Sequence, residues 1–314
     1  MFVTVAICTW NRAKLLDQTL SRMREIRIPT GADWELLIVN NNCTDDTDRV
    51  IEEHQAGLPI RRLHEKAQGL SNARNCAMTH ARGDVIVWTD DDVDPEPDWL
   101  CGAADAFSRN PEAAAIGGPI EPWYPSTPDP DLLDAFQEIR TGYCGVDHGD
   151  QERWLDEREQ IYGANMAFRL SAVEGMRFDT RTGRIGGQLT NGDDTSYVQS
   201  VRDRGGKVYW APRMRLRHYV DPHRMTLGYL EKFIRENARQ EVMIRPGGPY
   251  PSCCGLPRWL IRRYAAATAR YWLYRLSGRR QHRLRALRER WVLGGRISGY
   301  RALAGARSPA PVGT

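Results

Sequence analysis

Residues 85–99 read Val-Ile-Val-Trp-Thr-Asp-Asp-Asp-Val-Asp-Pro-Glu-Pro-Asp-Trp. Val85, Ile86, Val87 and Trp88 form a short apolar run suited to a buried strand. The chain then turns acidic at Asp90, Asp91, Asp92 and Asp94, and Pro95 and Pro97 end ladder pairing and can open a helix. Adjacent carboxylates at a strand's end repel one another where water is excluded. A cation should offset them, and a divalent metal ion suits an oxygen-rich cluster. An isolated acidic turn can equally be a solvated strand end, so the flanking sequence has to decide.

Toward the N-terminus, Phe2 to Cys8 alternates around valine and isoleucine and predicts a first strand. Asn11 is positioned to cap a helix in which Leu15, Leu16, Thr19, Leu20 and Met23 recur at helical spacing. Glu35 to Val39 predicts a second strand, ending in the polar turn 40–47, and Pro59 to Leu63 a third. Ser71 is a suitable N-cap for a helix from Asn72 to Ala81. Strands alternating with helices indicate an α/β sheet, largely parallel. Ligands of such sheets sit beyond the strands' carboxyl ends. The polar turns at Thr9 to Arg12, Asn40 to Thr47 and Thr89 to Asp94 all lie there. No GxGxxG or GxxxxGK[ST] appears at a strand end, which argues against a dinucleotide site and a P-loop.

Toward the C-terminus, Ala113 to Gly117 predicts a strand, followed by a proline-rich run through Pro119, Pro122, Pro125, Pro128 and Pro130. The glycine- and charge-rich stretch 141–158 predicts a mobile loop. Ile161 to Arg169 is strand-like, and Gly192-Asp193-Asp194-Thr195 precedes an amphipathic helix from Ser196 to Arg204. Short strands are expected at Val208 to Trp210 and Arg215 to His218.

The 314 residues suffice for one large domain or two ordinary ones, and 41% hydrophobic residues can fill a core. No window approaches the ~20 apolar residues that cross a bilayer. MFVTVAIC runs into a strand pattern without a charged leader, so no cleavable signal is expected. Seven cysteines without a CxxC pair read as reduced thiols of a cytoplasmic protein. From Leu256 onward there are fourteen arginines and one acid, Glu289, so this stretch carries about +13 of a chain whose net charge is +4. Such segregation speaks of partners rather than fold.

In order, the motifs are VTVAICTWNR, LLIVNNNCTDDT, GLSNARN, VIVWTDDDV, YGANMAFR, GDDTSYV and RHYVDPHRMT. Over about residues 3 to 240 this series resembles the family 2 glycosyltransferases of the GT-A fold. The resemblance implies a Rossmann-like, mostly parallel sheet flanked by helices, here with a C-terminal helical extension. It implies transfer of a sugar from a nucleotide diphosphate donor to a hydroxyl, with inversion of the anomeric carbon. It also implies a divalent ion, Mn2+ or Mg2+, on the DxD motif. That motif maps to Asp90-Asp91-Asp92, with Asp92 as first ligand and Asp90 bonding the donor's ribose or the metal shell. His218 matches the family's distal histidine, a further metal ligand; a lone histidine is otherwise an ordinary structural group. Asp193-Asp194 matches the family's acidic pair, with Asp194 the general base. An acidic first turn favoured by the helix dipole is the plain reading of that pair. Thr9, Asn11, Arg12, Asn41, Arg74 and Asp91 are the implied donor contacts, and Gly163 to Asn165 the wall near donor sugar and acceptor. Where the family places an aspartate to read uracil, this chain has Asn40, whose amide offers a carbonyl acceptor without the charge. A UDP-sugar is the expected donor, and the loop 141–158 a candidate lid.

The expected organisation is a catalytic domain, 1–245, with a nucleotide-sugar half, 1–118, and an acceptor half, 119–245; a basic, aromatic-rich helical extension, 246–314, follows. In that extension Leu256, Trp259, Leu260, Tyr264, Ala267, Tyr271 and Tyr274 recur at roughly helical spacing among arginines. Residues 256–303 therefore suit an anionic membrane surface, which would place the protein peripherally on its inner face. A packed helical flap and a nucleic-acid surface are the competing readings. The acceptor hydroxyl belongs to a glycan, a lipid-linked sugar or a small molecule. Two rivals stand beside the enzyme: a catalytically silent nucleotide-sugar binder, and an adaptor acting through its basic tail.

Overall fold

The computed structural model describes residues 1–128, 145–183, 192–244, 247–248 and 250–306. Pro130, Cys144, residues 141–144 of the glycine-rich loop and Arg307 lie outside them. Strands β1 (Phe2–Thr9), β2 (Asp33–Asn40), β3 (Ile60–His64) and β4 (Val85–Thr89) alternate with helices α1 (Ala13–Met23), α2 (Thr47–His54) and α3 (Leu70–His80). There follow β5 (Val93–Pro95), α4 (Trp99–Arg109), β6 (Ala113–Gly117), β7 (Ile120–Trp123), β8 (Arg153–Trp154) and β9 (Asn165–Arg169). Then come α5 (Asp193–Asp203), β10 (Lys207–Trp210) and β11 (Leu216–Tyr219).

The main sheet runs β3-β2-β1-β4-β9-β6-β10-β8. β1 pairs in parallel with β2 and β4, while β9 runs antiparallel between β4 and β6. Its strands read as continuous apolar runs because both faces are covered. Val3, Val5, Ile7, Val85 and Val87 face Leu16, Leu20, Trp99 and Phe107 on one side. Ala6, Leu37, Ile86 and Trp88 face Ala73, Ala77, Tyr197 and Val198 on the other. A mostly parallel sheet between helices, as the motifs implied, is the result.

Register positions the site. Thr9 pairs with Asn40, and Ile7 with Thr89, so the polar turns after β1, β2 and β4 emerge side by side. Asn165 lies opposite Thr89, which brings residues 163–165 to the same end. The second sheet, β5-β11-β7, puts His218 opposite Val93, one residue beyond Asp92. Tyr219 N–H donates to the Asp92 carbonyl at 2.8 Å.

Several local expectations change. Asn11 does not cap α1: it sits at φ +52°, and its Oδ1 accepts from Thr44 N–H at 2.7 Å. Asp45 Oδ2 instead accepts from Ala13 N–H at 2.9 Å. α3 begins at Leu70 after Gly69, whose φ of +134° suits glycine. Ser71 is thus inside the helix, with Oγ donating to the Thr182 carbonyl at 2.7 Å. α5 starts at Asp193, so both acids lie in its first turn. The strand over 161–169 is confined to Asn165–Arg169. Residues 145–158 are held to the sheet rather than loose: Val146 bridges Ile120, β8 pairs with β10, and Trp210 Nε1 donates to the Gly149 carbonyl at 2.6 Å.

The described residues form two compact units, 1–123 with 145–219, and 124–128 with 220–306. The second contains α6 (Leu227–Ile244), α7 (Arg258–Leu276) and α8 (Arg280–Ala306). α8 packs on both other helices. A Cβ on Gly295 would lie 2.2 Å from the Arg235 carbonyl, so only glycine admits that approach to α6. No described helix is long and apolar enough to cross a membrane.

Candidate active site

The three aspartates after β4 have different partners. Asp91 is buried; Thr9 Oγ1 donates to its Oδ2 at 2.7 Å and Arg12 to its Oδ1 at 2.8 Å. Burial pushes its pKa up to about 6, against the pull of Arg12. Asp92 is also buried: Arg12 reaches its Oδ2 at 2.5 Å, and His218 Nε2 lies 3.3 Å from its Oδ1. Asp90 is partly exposed, with Oδ2 3.6 Å from the same His218 nitrogen. Burial pushes the Asp90 carboxyl up, but the His218 hydrogen bond, supported by the His218 and Arg74 charges, holds it below its ordinary value.

The cation demanded by this acidic end is thus supplied in part by the chain itself. The guanidinium of Arg12, a residue expected at the donor, bridges Asp91 and Asp92. The signal was faint, because its partners lie 79 and 80 residues away. Asp90, Asp92 and His218 still present one ligand atom each within 4.8 Å of one another. Two carboxylate oxygens and an imidazole nitrogen form a donor set that a divalent ion fits.

Two residues of the turn expected to read the nucleotide are engaged internally. Asn40 is buried; its Nδ2 donates to Asp48 Oδ1 at 2.8 Å and its Oδ1 accepts from Cys43 N–H at 2.8 Å. Asn41 is buried as well, donating to the carbonyls of Glu65 and Ala67 and accepting from Gly69 N–H at 2.8 Å. It fixes the turn that starts α3. Asn165 is similarly occupied: Oδ1 accepts from Trp99 Nε1 at 2.8 Å, and Nδ2 donates to the carbonyls of Pro119 and Met214.

The second acidic group is built on Arg74. This buried guanidinium sits over Phe178 and Trp88, 5.3 and 5.8 Å from the ring centroids, and bonds Asp193 Oδ2 at 2.5 Å. Its charge acts on Asp193, Asp194 and Asp90, so this one cation offsets carboxylates of both acidic groups. Asp193 is buried in this pair, whereas Asp194 is only half-buried. Asp194 Oδ2 accepts from Gly163 N–H at 2.9 Å and Oδ1 from Thr195 N–H at 2.7 Å. Burial, then the neighbouring Asp193 charge, raises the Asp194 pKa above its ordinary value. A Cβ on Gly163 would lie 2.1 Å from the Arg74 guanidinium, so the glycine leaves room for that cation.

Comparison with known proteins shows the family and the fold. A family model described as "Glycosyl transferase family 2" matches residues 4–171. The glucosyl-dolichyl phosphate glucuronosyltransferase of Haloferax volcanii is 25% identical, over 73% of each chain. The succinoglycan biosynthesis protein ExoM of Rhizobium meliloti is 25% identical, over 74% of this chain and 71% of its own. Among solved structures, the mannosyltransferase PcManGT of Pyrobaculum calidifontis, in complex with GDP-Man and Mn2+, superposes with TM-score 0.54 at 18% identity, over 98% of this chain and 76% of that one. S. aureus TarS 1-349 with UDP-GlcNAc gives TM-score 0.55 at 13% identity, over 96% of this chain and 92% of that one.

Proposed function

Because the chain belongs to glycosyl transferase family 2, we propose that it moves a sugar from a nucleoside diphosphate to a hydroxyl acceptor, inverting the anomeric carbon. Glycosyltransfer itself comes with the family; the finer assignments are inferred. The observation that carries them is the difference between two adjacent carboxylates. Asp193 is neutralised by Arg74, while Asp194 is half-buried with a raised pKa. Such a split assigns acid–base roles. An acceptor hydroxyl keeps its proton at neutral pH and needs a base within reach. Asp194 takes that proton as the bond from acceptor oxygen to the anomeric carbon forms and the bond to the leaving phosphate oxygen breaks. Arg74 keeps Asp193 out of the exchange, and the Gly163 and Thr195 amides orient Asp194.

Asp90, Asp92 and His218 would hold a divalent ion, with Asp92 offering Oδ1 because Oδ2 bonds Arg12. Bound there, it would offset the charge that grows on the departing diphosphate. Mn2+ suits the set better than Mg2+, since the imidazole is a nitrogen ligand. For the base we infer uridine, as in the TarS complex with UDP-GlcNAc; guanosine is the rival, from the PcManGT complex with GDP-Man. We infer that the base is read at the turn 40–47, where Asn40 is held by Asp48 and Cys43. The Haloferax relative is named for glucosyl-dolichyl phosphate, which makes a lipid-linked glycan the first acceptor to test. The reaction is assigned to the cytoplasm, consistent with six free cysteines among the described residues.

Nucleotide release from UDP-, GDP- and dTDP-sugars, each with Mn2+, Mg2+ or a chelator, tests the reading. Release from a UDP-sugar that needs a divalent ion is expected. Undiminished release in chelator contradicts the metal assignment, and release from a GDP-sugar alone contradicts uridine.

A further inference from the structure

In the second unit, α7 is apolar on two sides. One side, with Trp259, Leu260, Tyr264 and Ala267, packs on Leu293, Ile297 and Tyr300 of α8. These are four of the seven residues of the stripe that the sequence offered to a membrane, two of its four aromatics among them, and they face α8. The other side carries Ile261, Ala265, Ala269, Trp272, Leu273 and Leu276, all exposed. At helical spacing they fall on one outward stripe. Exposure rises along it, from 38% at Ile261 through 50% at Trp272 and 60% at Leu273 to 85% at Leu276. Contiguous apolar side chains presented in this way mark an interaction surface.

The surroundings of the stripe are cationic. Arg258 continues it toward the N-terminus, Arg262 lies beside it between Ile261 and Ala265, and Arg275 borders it with its guanidinium 5.1 Å from the Trp272 ring centroid. Glu289, the one acid between 256 and 306, is taken by Arg263 and Arg270 at 3.5 and 2.5 Å. We propose that this stripe docks the protein on an anionic lipid bilayer. α7 lies in the interface, with Trp272, Leu273 and Leu276 among the acyl chains and the arginine heads at the level of the phosphates. A second copy of the chain is a poor occupant, since face-to-face stripes would bring arginine against arginine with no acid to meet them. Nucleic acid is poorer, because alanine, leucine and isoleucine offer nothing to phosphates or base edges. The proposal stands on α7 alone and not on the transfer reaction.

The test is co-sedimentation of the full chain with vesicles of phosphatidylcholine alone, and of phosphatidylcholine mixed with phosphatidylglycerol. Binding to the mixed vesicles only is expected, weakened by salt. The double substitution Leu273→Ser and Leu276→Ser should abolish it without lowering the melting temperature, both positions being exposed. Arg262→Gln and Arg275→Gln should each weaken it roughly five-fold, without touching the apolar stripe. The proposal is overturned if the wild-type chain stays in the supernatant with mixed vesicles, or if the serine variant sediments like wild type. It is equally overturned if the serine pair instead dissolves a dimer formed without vesicles, or removes binding of a single-stranded oligonucleotide.

Discussion

Asp193 and Asp194 are chemically alike and adjacent, yet the fold gives one a buried cation and the other two amide donors. Replacing Asp194 with Asn should leave UDP affinity unchanged and slow transfer about 10²- to 10⁴-fold, read from single-turnover rates. In the proposed reaction the ionised form of Asp194 is the active one, and its pKa is raised. The rate should therefore fall as pH falls through a value above the ordinary carboxylate range, and Asp194→Asn should lack that limb. Full transfer by the variant would put the base elsewhere. The acids themselves were legible in sequence, because Asp90 to Asp92 and Asp193-Asp194 are contiguous and chemically distinctive. Their partners were not: Arg12 and Arg74 lie 79 and 119 residues from the carboxylates they bind. The internal bonds of Asn40 and Asn41 were not legible either, because an exposed polar turn and an internally bonded one have the same letters.

Among the elements, β1 to β4 were readable from apolar runs, since a strand covered on both faces leaves little ambiguity. Boundaries shifted where a side chain bonded outside its own segment, as Asn11 does with Thr44 and Ser71 with Thr182. The loop expected to move was judged by its glycines and charges; 145–158 is held instead by ladder and side-chain bonds to its neighbours. Asn165 shows what register adds. It sits at the first position of β9, opposite Thr89, and bonds Trp99 and the carbonyls of Pro119 and Met214. Asn165→Leu would leave Trp99 Nε1 and the Met214 carbonyl without this partner, at about 1–3 kcal/mol each, while the Pro119 carbonyl keeps its bond from Leu216 N–H at 3.2 Å. Urea unfolding should show a loss of at least about 2 kcal/mol, with UDP affinity of the folded fraction unchanged. Normal stability with weakened UDP binding would return Asn165 to the donor wall.

Across the whole molecule, the sequence announced a basic helical tail but not which side of it packs. Both sides of α7 are apolar at helical spacing, and only contact with α8 distinguishes them. The same limit applies to the sheet's carboxyl end. Strand alternation says that polar turns gather there, whereas pairing of β5 with β11 is what brings His218 to Asp90 and Asp92. In the proposed reaction these three groups, contributed from positions 90, 92 and 218, hold a divalent ion that binds the donor diphosphate. Isothermal titration of UDP into the wild-type protein and into Asp92→Asn, each with Mn2+ and with chelator, tests this. Chelation should weaken UDP binding by the wild type and leave the already weak binding of the variant unchanged. Wild-type affinity in Asp92→Asn, still dependent on Mn2+, would contradict it.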